Sequence, residues 1–306
     1  MDNPKIIVSV DIEDGRFQAL PSFTDLQMSV MPVVHLKDGA FRGLGTCFAI
    51  SNQGLCLTAR HVFDEAFPKT TDGMQLTAEE GQLFALYIGG EPEVGQDLNG
   101  GLLPIVRVHR QGETDVALLQ LSLPTNSRTG ELLRMPAVRI GVAPPRLGSR
   151  CTAVGYHKMR WTAGDHDLTV EQSFAFTEGV VEELHIPRRD SFNLSFPCFR
   201  TSAHYPPGMS GAPIFAEDGY VRGVVCSEFE TLEQGDDHLS YASIVGIALL
   251  LQLEGRRGTS VDAEKLFLAD FVSDGAVVAD LTGTAVERGT EQLTVSMGNT
   301  TFIARL

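Results

Sequence analysis

Pro206-Pro207-Gly208-Met209-Ser210-Gly211-Ala212-Pro213 is the stretch from which the rest of the chain is read. A serine set between glycines in a tight turn can expose its hydroxyl while neighbouring backbone N–H groups converge on one point beside it. Such donors stabilise the oxyanion of an acyl-transfer intermediate, and losing one typically costs about 2.7–4 kcal/mol. Gly208 permits backbone angles closed to other residues, and Gly211 leaves room for a substrate to approach. A proline-glycine loop with an idle serine uses the same letters, so the motif needs support from elsewhere in the chain.

Two segments supply that support. In Leu57-Thr58-Ala59-Arg60-His61-Val62 a histidine follows an apolar strand, which can hold it rigidly while the imidazole reaches a cleft. Its near-neutral pKa suits it to take and return a proton. In Glu113-Thr114-Asp115-Val116-Ala117-Leu118-Leu119-Gln120-Leu121 an aspartate opens an almost wholly apolar strand. A carboxylate there is poorly solvated and needs a partner. An imidazole N–H would satisfy it and leave the other ring nitrogen free as a base. Alone, His61 reads as an ordinary surface or core histidine and Asp115 as a turn cap. Their joint order, His61 then Asp115 then Ser210, makes one expectation of three common features.

Around these motifs the chain reads as all-β. Short β-rich segments at 30–36, 45–51, 55–58, 82–88, 105–109, 116–121, 150–154, 180–184 and 220–226 alternate with glycine and polar turns. That rhythm points to barrels or sandwiches rather than βαβ units. Pro124, Pro136 and Pro144-Pro145 mark a linker, because proline cannot donate to a central strand ladder. The expected organisation is an N-terminal extension (1–29), a β unit with His61 and Asp115 (30–125), a linker (126–147), a β unit with Ser210 (148–254) and a tail (255–306). The aliphatic run 242–254 predicts a helix closing the second unit, and 292–304 predicts a hairpin turning at Gly298-Asn299.

Composition removes several classes of function. The 306 residues suffice for one large domain or two modest ones, and 24 Lys+Arg against 39 Asp+Glu give a net charge of −15. Such a surface repels phosphate backbones, so nucleic acid is not expected as a partner. With 43% hydrophobic residues the chain can fill a core, yet no apolar run is long enough to span a bilayer, so no membrane partner is expected. Met1-Asp2-Asn3-Pro4-Lys5 leads into only three apolar residues, which does not resemble an export signal. Cys47, Cys56, Cys151, Cys198 and Cys226 show no CxxC spacing, which argues against zinc and for reduced, buried thiols in the cytoplasm. The sequons at Asn193 and Asn299 are then chance matches. Asp165-His166-Asp167 and Asp236-Asp237-His238 read as solvated loops, and neither metal nor cofactor is expected.

Taken together, the motifs resemble those of the chymotrypsin-like (trypsin-like) serine proteases, whose catalytic triad is a standard template. Thr58-Ala59-Arg60-His61 is similar to the family's T-A-x-H, Asp115-Val-Ala-Leu-Leu119 to D-x-A-L-L, and Gly208-Met-Ser-Gly-Ala-Pro213 to G-x-S-G-x-P. The resemblance extends over roughly residues 30–254. It implies two six-stranded antiparallel β-barrels with the active site at their junction. It further implies His61 as general base and acid, Asp115 as its orienter, Ser210 as nucleophile, and the N–H groups of Gly208 and Ser210 as oxyanion hole.

Departures from the family refine the expectation. Met209 stands where digestive members carry an aspartate that pairs with a newly released N-terminus, so activation by that route is ruled out. Val62 replaces the cysteine of a disulfide that commonly brackets the histidine. The pattern is nearer to bacterial HtrA-type peptidases, with a tail too short for the peptide-binding domain that usually follows in them. His204 occupies the position where cleavage after Lys or Arg needs an acid, which argues against a basic preference. It leaves open whether His204 favours Glu or Gln side chains or fills the pocket. Cys226, Ser227 and Glu228 would line the pocket wall. The expected function is peptide-bond hydrolysis on a protein or peptide substrate, restrained by a regulatory protein or ligand. The alternative is a silent pseudoprotease serving as a binding module. An α/β-hydrolase would need G-x-S-x-G with acid and histidine downstream, which this order does not offer.

Overall fold

A computed structural model describes residues 5–13, 23–64, 67, 81–89, 98–110, 114–125, 129–163, 167–230, 238–255 and 264–306. A strand, Lys5–Glu13 (β1), and a short helix, Phe23–Ser29 (α1), precede the first ring of strands. That ring comprises Val30–Lys37 (β2), Ala40–Ala49 (β3), Leu55–Ala59 (β4), Gln82–Gly89 (β5), Leu98–Arg110 (β6) and Val116–Leu121 (β7). Pairing runs β2-β3-β4-β7-β6-β5 and returns from β5 to β2, antiparallel throughout. Closure gives every strand of the ring a partner on both sides. Asp38 and Gly39, both with positive φ (52° and 77°), form the two-residue turn whose twist suits a β2–β3 hairpin. Pro32 sits in β2 just before the β5 ladder begins at Val33, so its missing N–H disrupts no bond on that side.

A helical turn, His61–Asp64 (α2), follows β4, and a two-residue strand, Ile140–Gly141 (β8), lies in the segment between the rings. The second ring holds Arg150–Ala163 (β9), Asp167–His185 (β10), Cys198–Thr201 (β11), Pro213–Ala216 (β12), Val221–Glu230 (β13) and His238–Ile244 (β14). Its pairing, β9-β10-β11-β14-β13-β12 and back to β9, is again wholly antiparallel. The molecule is therefore two closed six-stranded antiparallel barrels, a chymotrypsin-like fold.

Two features differ from the sequence expectation. First, β9 and β10 are 14 and 19 residues long, far beyond the segments legible at 150–154 and 180–184. Their outer halves form an arm that reaches the first barrel, where Trp161 stacks on Phe41 with ring centroids 4.8 Å apart. β1 pairs in parallel with this arm, from Lys5 opposite Asp167 to Glu13 opposite Ala175, and antiparallel with β6 from Ile6 opposite Gly100 to Val8 opposite Leu98. Second, the helix expected over 242–254 is corrected. Ala242 and Ser243 pair with both β11 and β13 to close the barrel, Val245–Leu250 form a short 3₁₀ helix, and Gln252–Gly255 (β15) pairs with Glu264–Phe267 (β16). An amphipathic helix needs a polar face, and all six residues of the 3₁₀ segment are buried.

Beyond it come Leu268–Ser273 (α3), Ala279–Asp280 (β17), Thr284–Arg288 (β18), Gln292–Met297 (β19) and Thr300–Arg305 (β20). β17 pairs in parallel with β8, and β18-β19-β20 form a meander whose last two strands are the hairpin expected from the sequence. Leu293, Val295 and Met297 join the same apolar core that fills both barrels. A satellite cluster gathers Leu194, Phe196, Cys198, Cys226 and Tyr241. Among the described residues no helix is long and apolar enough to cross a membrane.

Candidate active site

His61 and Asp115 are brought together by the pairing of β4 with β7. Ala59 lies opposite Val116, so the residues just outside that pair, Arg60 and Asp115, adjoin, and Arg60 N–H donates to Asp115 C=O at 2.8 Å. The Asp115 carboxylate, on a side chain 7% exposed, is then used on both oxygens. Oδ1 accepts from the His61 backbone N–H at 3.0 Å, and Oδ2 lies 2.8 Å from His61 Nδ1. The turn-capping role open to an aspartate here falls to Thr114 instead, whose hydroxyl accepts from Val116 N–H at 3.2 Å. A carboxylate on Nδ1 fixes the tautomer with its proton on that nitrogen and leaves Nε2 as the basic site.

The His61 side chain remains 39% exposed. Burial pulls its pKa down, but the hydrogen bond and charge of Asp115, with Asp64 adding to them, outweigh burial and the opposing Arg60, so the net shift is upward from 6.5. Asp64 accepts from Arg110 at 2.8 Å and lies 3.6 Å from Arg60, tying α2 to β6.

Ser210 is half-buried in a turn anchored on every side. Met209 N–H donates to Pro206 C=O, Ala212 N–H to Met209 C=O and Gly211 N–H to Val225 C=O, while Val225 N–H returns to Ala212 C=O. Gly208 and Gly211 have φ of 103° and 86°, in the left-handed region that other residues avoid. A Cβ on Gly211 would overlap Thr46 C=O and Thr58 Oγ1 of the first barrel, so the turn lies hard against β3 and β4. Thr46 N–H donates to Ser210 C=O at 2.8 Å. The position a Cβ on Gly45 would take is 2.7 Å from Ser210 O and 2.9 Å from Val62 Cγ2, which places the serine beside the residue that follows His61.

Among the described residues no hydrogen bond joins Ser210 Oγ to His61, and neither the Gly208 nor the Ser210 amide N–H donates to a protein acceptor. Base–nucleophile contacts are often loose before substrate binds. Unpaired amides beside a serine leave donors for an incoming anion. Met209 is fully buried, with its thioether 3.9 Å from the Thr177 hydroxyl, so packing replaces the ion pair that an aspartate would make.

The remaining residues singled out from the sequence are spread over the second barrel. His204 is exposed between buried Ala203 and Tyr205. Cys226 is buried in the satellite cluster, its thiol donating to Tyr241 C=O at 3.2 Å. Ser227 and Glu228 continue β13 opposite Tyr241 and Ser240. Of the loops expected at 165–167 and 236–238, Asp167 and His238 instead open β10 and β14, and the other residues lie outside the described residues. All five cysteines are buried and none is joined in a disulfide, and burial pushes the Cys151 and Cys198 thiols up to about 12. Thr46 and Arg110 escaped the sequence reading because their partners are distant in the chain, and Asp64 escaped it although Arg60 is only four residues away.

A double β-barrel with a histidine–carboxylate pair beside a serine turn is a serine-protease fold. Residues 45–224 match the family described as the trypsin-like peptidase domain, and the chain belongs to that family. No curated protein sequence matches it. Similar solved structures include Deg5, at 18% identity over 73% of this chain and 86% of that one with a TM-score of 0.45. The protease domain of MamO from Magnetospirillum magneticum is 14% identical over 74% and 96%, with a TM-score of 0.44. The HtrA-type protease AlgW with a tripeptide is 16% identical over 90% and 76%, with a TM-score of 0.46. The fold assignment rests on the two closed strand rings and not on these likenesses.

Proposed function

We propose that the chain is a serine endopeptidase that cleaves peptide bonds of a protein or peptide substrate through His61, Asp115 and Ser210. The observation that carries this reading is the Asp115 carboxylate spending both oxygens on His61, one on the backbone and one on Nδ1. In this mechanism His61 Nε2 takes the Ser210 hydroxyl proton as Oγ attacks the scissile carbonyl. The Gly208 and Ser210 N–H groups receive the developing oxyanion. His61 then passes its proton to the leaving amine, and a water, deprotonated by the same imidazole, hydrolyses the acyl-enzyme. Asp115 keeps Nδ1 protonated and steadies the imidazolium. The open Ser210–His61 contact is compatible with a regulatory partner or ligand that closes it.

The test is a fluorophosphonate probe, which reacts only with a serine activated in this way. Labelling of the wild type at Ser210, abolished by Ser210→Ala, is expected. A folded wild type that stays unlabelled at every pH tried would leave two readings in place of an active peptidase, a binding module built on the same barrels or an enzyme held latent until its regulator binds.

A further inference from the structure

Thr46 lies on β3 of the first barrel and is fully buried, yet it touches the nucleophile turn, the second barrel and the strand that leads into His61 at once. Its hydroxyl donates to Gly208 C=O at 3.2 Å and accepts from Tyr156 N–H of β9 at 3.2 Å. Its own N–H donates to Ser210 C=O at 2.8 Å, and its C=O accepts from the Thr58 hydroxyl at 2.6 Å. Thr58 is on β4, whose end leads into His61. A hydroxyl has one donor and two acceptor sites, so a single oxygen can serve both Gly208 and Tyr156.

The direction of these bonds matters. The Gly208 carbonyl belongs to the peptide that leads into Met209 and Ser210, so a donor on it fixes the rotation of the backbone between the two N–H groups proposed as oxyanion donors. On the opposite side Gly208 rests on β9, since a Cβ there would lie 3.2 Å from His157 Cα and Tyr156 O. Gly208, with its positive φ, is thus held between Thr46 Oγ1 and the β9 backbone. Buried polar groups of this kind are costly when one partner is removed, because the others lose their bonds without gaining water.

We propose that Thr46 is a positioning residue: its hydroxyl sets the Gly208–Ser210 backbone for catalysis by tying it to β9 and to the strand pair that delivers His61. This rests on the peptidase reading above and adds to it a residue that touches no substrate.

Four full-length proteins decide the matter: wild type, Thr46→Val, Thr46→Ser, and Val295→Ala as a destabilised control in β19 of the tail. The valine keeps the shape and removes the hydroxyl, and the serine keeps the hydroxyl. Each is measured for its rate of fluorophosphonate labelling and for amide exchange over residues 154–158 and 206–212, at a temperature set the same interval below its own melting point. T46V is expected to label about ten- to hundredfold more slowly, as loss of oriented donors would dictate, and to exchange faster over both segments. T46S should restore both, and V295A should change neither. Wild-type labelling by T46V, failure of serine to rescue, or equal slowing by V295A would overturn the proposal. If the wild type itself is unlabelled, the isolated protein lacks the proposed activity, and exchange alone then judges Thr46. Faster exchange reversed by serine upholds it as the clamp on this turn, and unchanged exchange removes it.

Discussion

His61 takes its proton affinity from opposing influences, and the balance can be measured. Burial favours the neutral ring, but Asp115 and Asp64 favour the charged one and prevail, raising the pKa above 6.5. A general base must be neutral, so reaction at Ser210 should fall as pH drops through that raised value, with the acid limb above 6.5. The His61–Asp115 pair contributes stability in the opposite sense, fully below the unfolded value and lost as pH rises through the folded one. Asp64→Asn removes one of the raising charges and leaves Arg60 in place. The acid limb of the labelling-rate profile should therefore move to lower pH. An unmoved limb would mean that Asp64 acts only as a tether for α2. At this scale the sequence was informative where a residue's own segment marks its place in the fold. His61, Asp115 and Ser210 each stand in a short segment whose own letters announce a turn or strand end. Thr46 does not, because its partners Tyr156 and Gly208 are 110 and 162 positions away. Nothing in Gly45-Thr46-Cys47 distinguishes a clamp from an ordinary strand threonine.

Among the elements, the β9–β10 arm is the one whose length the sequence concealed. A register shift opposite Gln172, with Lys158 at a positive φ of 55°, interrupts the alternation just where the strand leaves its own barrel. The arm's reach is fixed at its outer end by Trp161 against Phe41. A double-mutant cycle with Phe41→Leu and Trp161→Leu should return a coupling of about 0.5–1.5 kcal/mol in chemical unfolding, the usual worth of a stacked pair beyond its area. Additive losses would show that the rings merely lie side by side. The run 242–254 misled for a different reason. Continuous aliphatic residues have no period, so they fit a buried strand and a buried helix equally. Pairing with β11 and β13 decided for strand up to Ile244, a choice that depends on segments more than a dozen residues away.

For the whole molecule, the tail belongs to the main core. Phe267, Leu268, Val277, Leu293, Val295 and Met297 are all buried in it. At roughly 1.5–3 kcal/mol for each fully buried large aliphatic or aromatic side chain, removing them approaches or exceeds the 5–15 kcal/mol by which a typical domain is stable. A chain ending at residue 254 should therefore fail to fold, giving insoluble protein or no cooperative melt by circular dichroism. Recovery of a soluble fragment with the full-length melting point would make the tail a dispensable appendage instead.

β1 is hydrogen-bonded on one side to β6 and on the other to β10, one strand from each ring. A stitch of this kind makes the beginning of the chain the last seam to be sewn. The ladder can form only once the outer ends of β6 and β10 stand one strand apart, and the rings cannot drift apart without unpicking it. Whatever is fused ahead of Lys5 would pull on that seam.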